Sequence, residues 1–151
     1  MKTLILVRHA HALSAFVAQV TSDALRPLSD EGRQKAAATA AKLAGLSLHP
    51  AVILTSPLLR AKQTSQFIAE KLHAPVEEVK WLNGFFSDEE VAIALRERLA
   101  KTDTIVAVGH NPNITCVHNL LCGQIRPFSP GSFAVLEMDN SGNFKQISAG
   151  E

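Results

Sequence analysis

Arg8-His9, Arg60 and Gly109-His110-Asn111 combine residue types that could handle a tetrahedral oxyanion. A guanidinium donates two parallel hydrogen bonds, so Arg8 and Arg60 suit phosphate oxygens. A neutral imidazole beside such a group can attack phosphorus, because its ordinary pKa of about 6.5 leaves a lone pair free at neutral pH. Each residue alone has a plainer reading. Arg-His after a strand is usually surface loop, Arg60 a solvated helix residue, and His110 a loop residue satisfying its neighbours. Their joint placement at strand ends carries the signal.

The elements that must position them are legible. Thr3 to Val7 is a continuous apolar run, suited to a strand covered on both faces. Ser29-Asp30-Glu31-Gly32 opens an alanine-rich helix to Leu43, with Gly45 beyond it and Ala36, Ala37, Ala40, Leu43 and Ala44 on one face. Ala51 to Thr55 reads as a second strand. Ser56 then caps a helix to about His73, with Pro57 at its first position. Val76 to Leu82 reads as a third strand. Ser87 to Lys101 is a helix with acids early and bases late, matching its dipole. Thr104 to Val108 is a fourth buried strand, followed by a helix to Leu121 with Asn111 as cap and Pro112 at its first position. Phe133 to Met138 and Phe144 to Ile147 flank Asp139-Asn140-Ser141-Gly142 as a hairpin.

Alternating strands and helices predict an α/β fold with three αβα layers, a mostly parallel sheet and an antiparallel edge. Ligands in such sheets sit beyond the carboxyl ends of the strands. Arg8-His9, Thr55-Ser56-Pro57 with Arg60, and Gly109-His110-Asn111 would all reach that rim. The helix start near Asn111 adds free N–H groups for an anion.

The 151 residues fit one domain, 1–151, with 46% hydrophobic and 19% charged residues, which excludes bulk disorder. Fifteen basic and fourteen acidic residues give a net charge of +1, no global field for nucleic acid or anionic lipid. No apolar run reaches the ~18 residues a bilayer span needs. MKTLILV is interrupted by Arg8 and His9 too early for a signal peptide, so a cytoplasmic protein is expected. Cys116 and Cys122 cannot frame a disulfide scaffold and read as buried small hydrophobes in a reducing compartment.

At these residues the sequence resembles the histidine phosphatase superfamily, the phosphoglycerate mutase-like or RHG family. LVRHA (Leu6 to Ala10) resembles its nucleophile motif, TSPLLRAKQT (Thr55 to Thr64) its second arginine motif, and VGHNP (Val108 to Pro112) its second histidine motif. The short length and RPLSDEG (Arg26 to Gly32) are similar to SixA-type phosphohistidine phosphatases. The resemblance implies a phosphoglycerate mutase-like fold and phosphoprotein dephosphorylation, with His9 the nucleophile and Arg8 and Arg60 the oxygen clamp. His110 would bond the transferring group and Arg26 would be a further pocket arginine. Asn111 and the Gly131-Ser132 loop are weaker candidates by position. Neither metal nor cofactor is implied, and inorganic phosphate or sulfate would occupy the pocket.

Two departures stand out. Ala10 replaces the commoner glycine and would place a methyl near the pocket. Larger members of the superfamily carry a carboxylic proton donor in an insertion after the third strand. Here the acids in that stretch are Asp88, Glu89 and Glu90, which read as charges matched to a helix dipole. An alkoxide leaving group needs a positioned acid, whereas a ring-protonated phosphohistidine departs as neutral imidazole. A phosphorus–nitrogen substrate is therefore favoured over a simple phosphate ester. The rival readings are a small-molecule ester phosphatase, a phospho-binding module without turnover, and a metallohydrolase using His11, His110 and His118. His49 and His73 read as solvated.

Overall fold

The computed structural model describes residues 1–151. A six-stranded sheet is built from β1 (Lys2–Arg8), β2 (Val52–Thr55), β3 (Val76–Glu78), β4 (Thr104–Gly109), β5 (Phe133–Met138) and β6 (Phe144–Gly150), in the order β3-β2-β4-β1-β5-β6. β3, β2, β4 and β1 run parallel, while β5 and β6 form the antiparallel edge. The helices are α1 (Ala15–Ala18), α2 (Asp30–Ala44), α3 (Leu59–Leu72), α4 (Asp88–Leu99) and α5 (Asn113–Cys122).

β1 shows why the sheet is covered on both faces. Successive side chains alternate, so Leu4 and Leu6 join a core with Val91, Leu95 and Leu99 of α4 and Ile114 and Val117 of α5. Ile5 and Val7 enter the opposite core with Leu43 of α2 and Ala61 and Ile68 of α3. Those two apolar layers make the three-layer αβα architecture.

The helix starts show where local rules hold and where tertiary contacts shift them. Ser29 Oγ accepts from Gly32 N at 3.0 Å to cap α2. Ser87 and Glu90 form a capping box at α4. Expected caps fail at two helices near the strand ends. Ser56 is buried and its hydroxyl turns to His110 and Leu58 N, so α3 begins only at Leu59 with no side-chain cap. Asn111 Oδ1 accepts from Thr115 N at 3.3 Å and Oγ1 at 2.9 Å, and α5 begins at Asn113, with Pro112 at the cap position.

Other expectations shift for identifiable reasons. The third strand stops at Glu78 because Lys80–Leu82 turns as a 3₁₀ helix that drives Leu82 into the core. Ala37 is exposed, and Thr39 takes a buried place on α2 by donating to Gly131 O at 2.6 Å. Cys116 is exposed and Cys122 half-buried, so neither is the buried hydrophobe expected. His49 and His73 are exposed. No helix is long and apolar enough to cross a membrane.

Candidate active site

Strand register brings the two histidines together. β1 and β4 pair with Arg8 opposite Gly109, so the next residues, His9 and His110, leave adjacent parallel strands at the same level. His9 N donates to Gly109 O at 3.1 Å, extending the ladder by one bond. The imidazole centroids are 4.9 Å apart with planes tilted by 55°. β2 and β4 pair with Thr55 opposite Val108, which sets Ser56 beside the same end. Ser56 Oγ then lies 2.7 Å from His110 Nε2.

His9 Nδ1 lies 2.7 Å from Ala10 O. A carbonyl oxygen only accepts, so Nδ1 carries the hydrogen and neutral His9 keeps its lone pair on Nε2. Burial pushes the His9 pKa down to about 4, against the Ala10 bond, and the charges of Arg60, Arg8 and Arg26 push the same way as burial. Burial also lowers His110 to about 3, with His9 and Arg60 adding to the shift. Both imidazoles are neutral at pH 7.

Each arginine has a fixed anchor. Arg8 Nη1 donates to Phe128 O at 2.8 Å, and the same carbonyl receives Asn111 Nδ2 at 3.1 Å. Arg60, buried on the first turn of α3, donates to Asp23 O at 2.9 Å and Asp23 Oδ2 at 3.0 Å. Arg26 donates through Nε to Leu13 O and through Nη1 to Asp23 Oδ1, at 2.8 and 2.9 Å. Sequence reasoning passed over Asp23. Its only signal is an acid three residues before Arg26, and the contact with Arg60 spans 37 positions.

The backbone around His9 is held from three sides. Gly131 N donates to Arg8 O at 3.0 Å and His9 O at 3.1 Å, placing the Gly131-Ser132 loop against the His9 loop. Buried Thr64 accepts from Ala10 N at 3.1 Å and donates to Arg60 O at 2.9 Å. Gly32 packs so closely on the same loop that a Cβ would collide with His11 O. The Ala10 methyl, expected near the pocket, packs instead with Leu28 and Ala36.

His118 is remote from this chemistry. It is fully buried on α5, with Nδ1 at Gln124 O and Nε2 at Gln146 Oε1. His11 is exposed and its Nδ1 meets Ser29 Oγ at 2.8 Å. No three His, Cys, Asp or Glu side chains are grouped to hold a metal ion. Asp88 Oδ1 accepts from Asn113 Nδ2 at 2.6 Å, and Glu90 is engaged with Ser87.

Two imidazoles and three arginines thus gather beyond the carboxyl ends of the parallel strands, with Arg8, His9 and His110 carried by β1 and β4, Arg60 by α3, and Arg26 joined to Arg60 through Asp23. The sequence profile of the histidine phosphatase superfamily (branch 1) matches residues 4–86, and this chain belongs to that superfamily. It is 33% identical over 108 residues to an uncharacterized protein of Picosynechococcus sp., matching 69% of this chain and 64% of that protein. The match thus spans just under two thirds of that relative's length. The fold is that of the protein histidine phosphatase SixA solved with tungstate: TM-score 0.87, 24% identity, over 97% of this chain and 95% of the other. It is shared with a phosphoserine phosphatase of Entamoeba histolytica solved with 3-phosphoglyceric acid: TM-score 0.79, 18% identity, over 100% and 98% of the chains. A mycobacterial glucosyl-3-phosphoglycerate phosphatase with VO3 gives 0.77 at 17% identity, over 98% of each chain.

Proposed function

We propose that this chain is a phosphohistidine phosphatase that dephosphorylates a protein through a covalent intermediate on His9. The observation that carries this reading is the His9 imidazole, tied through Nδ1 to Ala10 O and therefore presenting a free lone pair at Nε2. The lone pair forms an N–P bond as the substrate's own P–N bond breaks. A substrate imidazole protonated on its other nitrogen leaves neutral, carrying the bonding electron pair. Water then attacks phosphorus, the bond to His9 breaks, and dihydrogen phosphate departs while His9 returns neutral. Arg8, Arg60 and Arg26 receive the phosphoryl oxygens and His110 bonds the transferring group. Asn111 acts as a brace, since Phe128 and Thr115 already occupy its amide.

The acids bear on substrate class. Asp88 and Glu90 are engaged in structural hydrogen bonds, and Asp23 is held ionised beside Arg26 and Arg60. A phosphorus–nitrogen bond needs less from a proton donor than an alkyl ester does. The likeness to SixA agrees with this substrate, and two free cysteines agree with a cytoplasmic, reducing setting.

The test has two parts. Rapid quench with a labelled phosphohistidine peptide should trap an acid-labile, base-stable adduct on the wild type and none on His9→Ala. A panel of phosphohistidine, phosphoserine, phosphotyrosine and sugar phosphates should rank phosphohistidine first. An adduct surviving in His9→Ala, or a sugar phosphate turned over fastest, would overturn the reading.

A further inference from the structure

We propose that Asp23 is a positioning residue that sets the geometry of the oxyanion clamp by holding Arg60 and Arg26 on one carboxylate. The inference rests on reading those arginines as phosphoryl ligands. Both oxygens of the carboxylate are used, Oδ2 by Arg60 Nη2 at 3.0 Å and Oδ1 by Arg26 Nη1 at 2.9 Å. The backbone carbonyl of Asp23 takes the second Arg60 fork at 2.9 Å. Arg60 is thereby gripped at two points, which fixes the plane of its guanidinium as one point would not. Its Nε–H and remaining Nη hydrogens stay free for an oxyanion.

The need for such a carboxylate is electrostatic. Arg8, Arg26 and Arg60 each act on His9 strongly enough to oppose its protonation, so three cations converge on one small region. Among the groups these arginines bond, Asp23 alone is charged; Arg8 goes to Phe128 O and Arg26 also to Leu13 O. The Arg26 bond, followed by that of Arg60, keeps Asp23 below the usual carboxylate range, so it remains an anion through neutral pH.

Location separates this role from plain stability. Asp23 lies in a short 3₁₀ helix (Asp23–Leu25), its side chain 59% exposed, whereas that of Arg60 is 9% exposed. Ion pairs with so exposed a partner add little to folding. What the pair does is dock the exposed 14–25 segment onto α3, making clamp geometry depend on that segment.

The experiment uses the full chain with Asp23→Asn, which keeps the shape and removes the charge. Calorimetric titration with vanadate reads the clamp without turnover, and phosphohistidine hydrolysis reads catalysis. Loss of a charge-assisted hydrogen bond predicts a fall of about ten- to a hundredfold in vanadate affinity, with kcat reduced alongside and the melting temperature nearly unchanged. Combining Asp23→Asn with Arg60→Lys should cost less than the two single losses together, because both act through one guanidinium. Unchanged vanadate affinity in Asp23→Asn, or fully additive losses, would overturn the assignment. A wild type that binds vanadate but leaves phosphohistidine intact would sink the proposed substrate while the positioning role still stood on binding. A wild type that binds no oxyanion would overturn both.

Discussion

The hydroxyl of Thr64 accepts from Ala10 N at 3.1 Å and so ties α3 to the loop that carries His9. Because it also donates to Arg60 O, one fully buried side chain spaces the His9 loop from Arg60. Thr64→Val preserves the shape but leaves Ala10 N without its acceptor. Stability should fall by about 1–3 kcal/mol, the cost of an unsatisfied buried donor. Urea denaturation checks this, and a midpoint equal to wild type would show that Ala10 N finds another partner.

Acidity should act on activity through His9. Its pKa is lowered to about 4, so the acid limb set by His9 should appear only as pH drops through that value, below the range in which a substrate imidazole titrates. A limb centred near the ordinary imidazole value would contradict the burial that lowers it.

The same shifts make stability depend on pH. Above 6.5 both imidazoles are neutral folded or unfolded, and they contribute nothing. Below that, the unfolded chain takes up protons that folded His9 and His110 resist, to about 4 and about 3, so stability is lost as pH falls through this window. His9→Gln and His110→Gln should each flatten the slope of denaturation midpoint against pH. Slopes identical to wild type would mean neither group resists protonation in the fold.

Arg60→Lys retains a charge but loses the planar fork that grips Asp23. A rate loss of about 10²–10³ is expected, the usual cost of removing one transition-state donor. Asp88→Asn and Glu89→Gln should leave phosphohistidine turnover within about twofold, because neutral imidazole needs little protonation on departure. A hundredfold loss in either carboxylate variant, with Arg60→Lys unaffected, would recast the protein as an ester phosphatase with a true proton donor.

EDTA should leave turnover unchanged, and vanadate should compete more tightly than phosphate or sulfate, because it can mimic a five-coordinate phosphorus. Dependence on added divalent metal, without vanadate inhibition, would favour a metallohydrolase.

Local sequence carries most of the elements and the polar residues in which the strands end. Apolar runs long enough to be strands stop at Arg8-His9, Ser56 and Gly109-His110, and buried parallel strands must deliver the residues at their carboxyl ends to one rim. Ser29 and Ser87 cap the helices expected of them, Ser87 at an exposed end where only local bonds compete and Ser29 while also meeting His11. Beside the site, Ser56 turns to buried His110, and Asn111 divides its amide between Phe128 O, a partner 17 residues away, and Thr115 in the first turn of α5. Strand order and register, which put His9 beside His110, come from packing both sheet faces at once, and no local window contains that information. Asp23 was hidden for the same reason. It sits on an exposed segment with no hydrophobic period, and its meaning arises only when α3 brings Arg60 to it across 37 residues of chain.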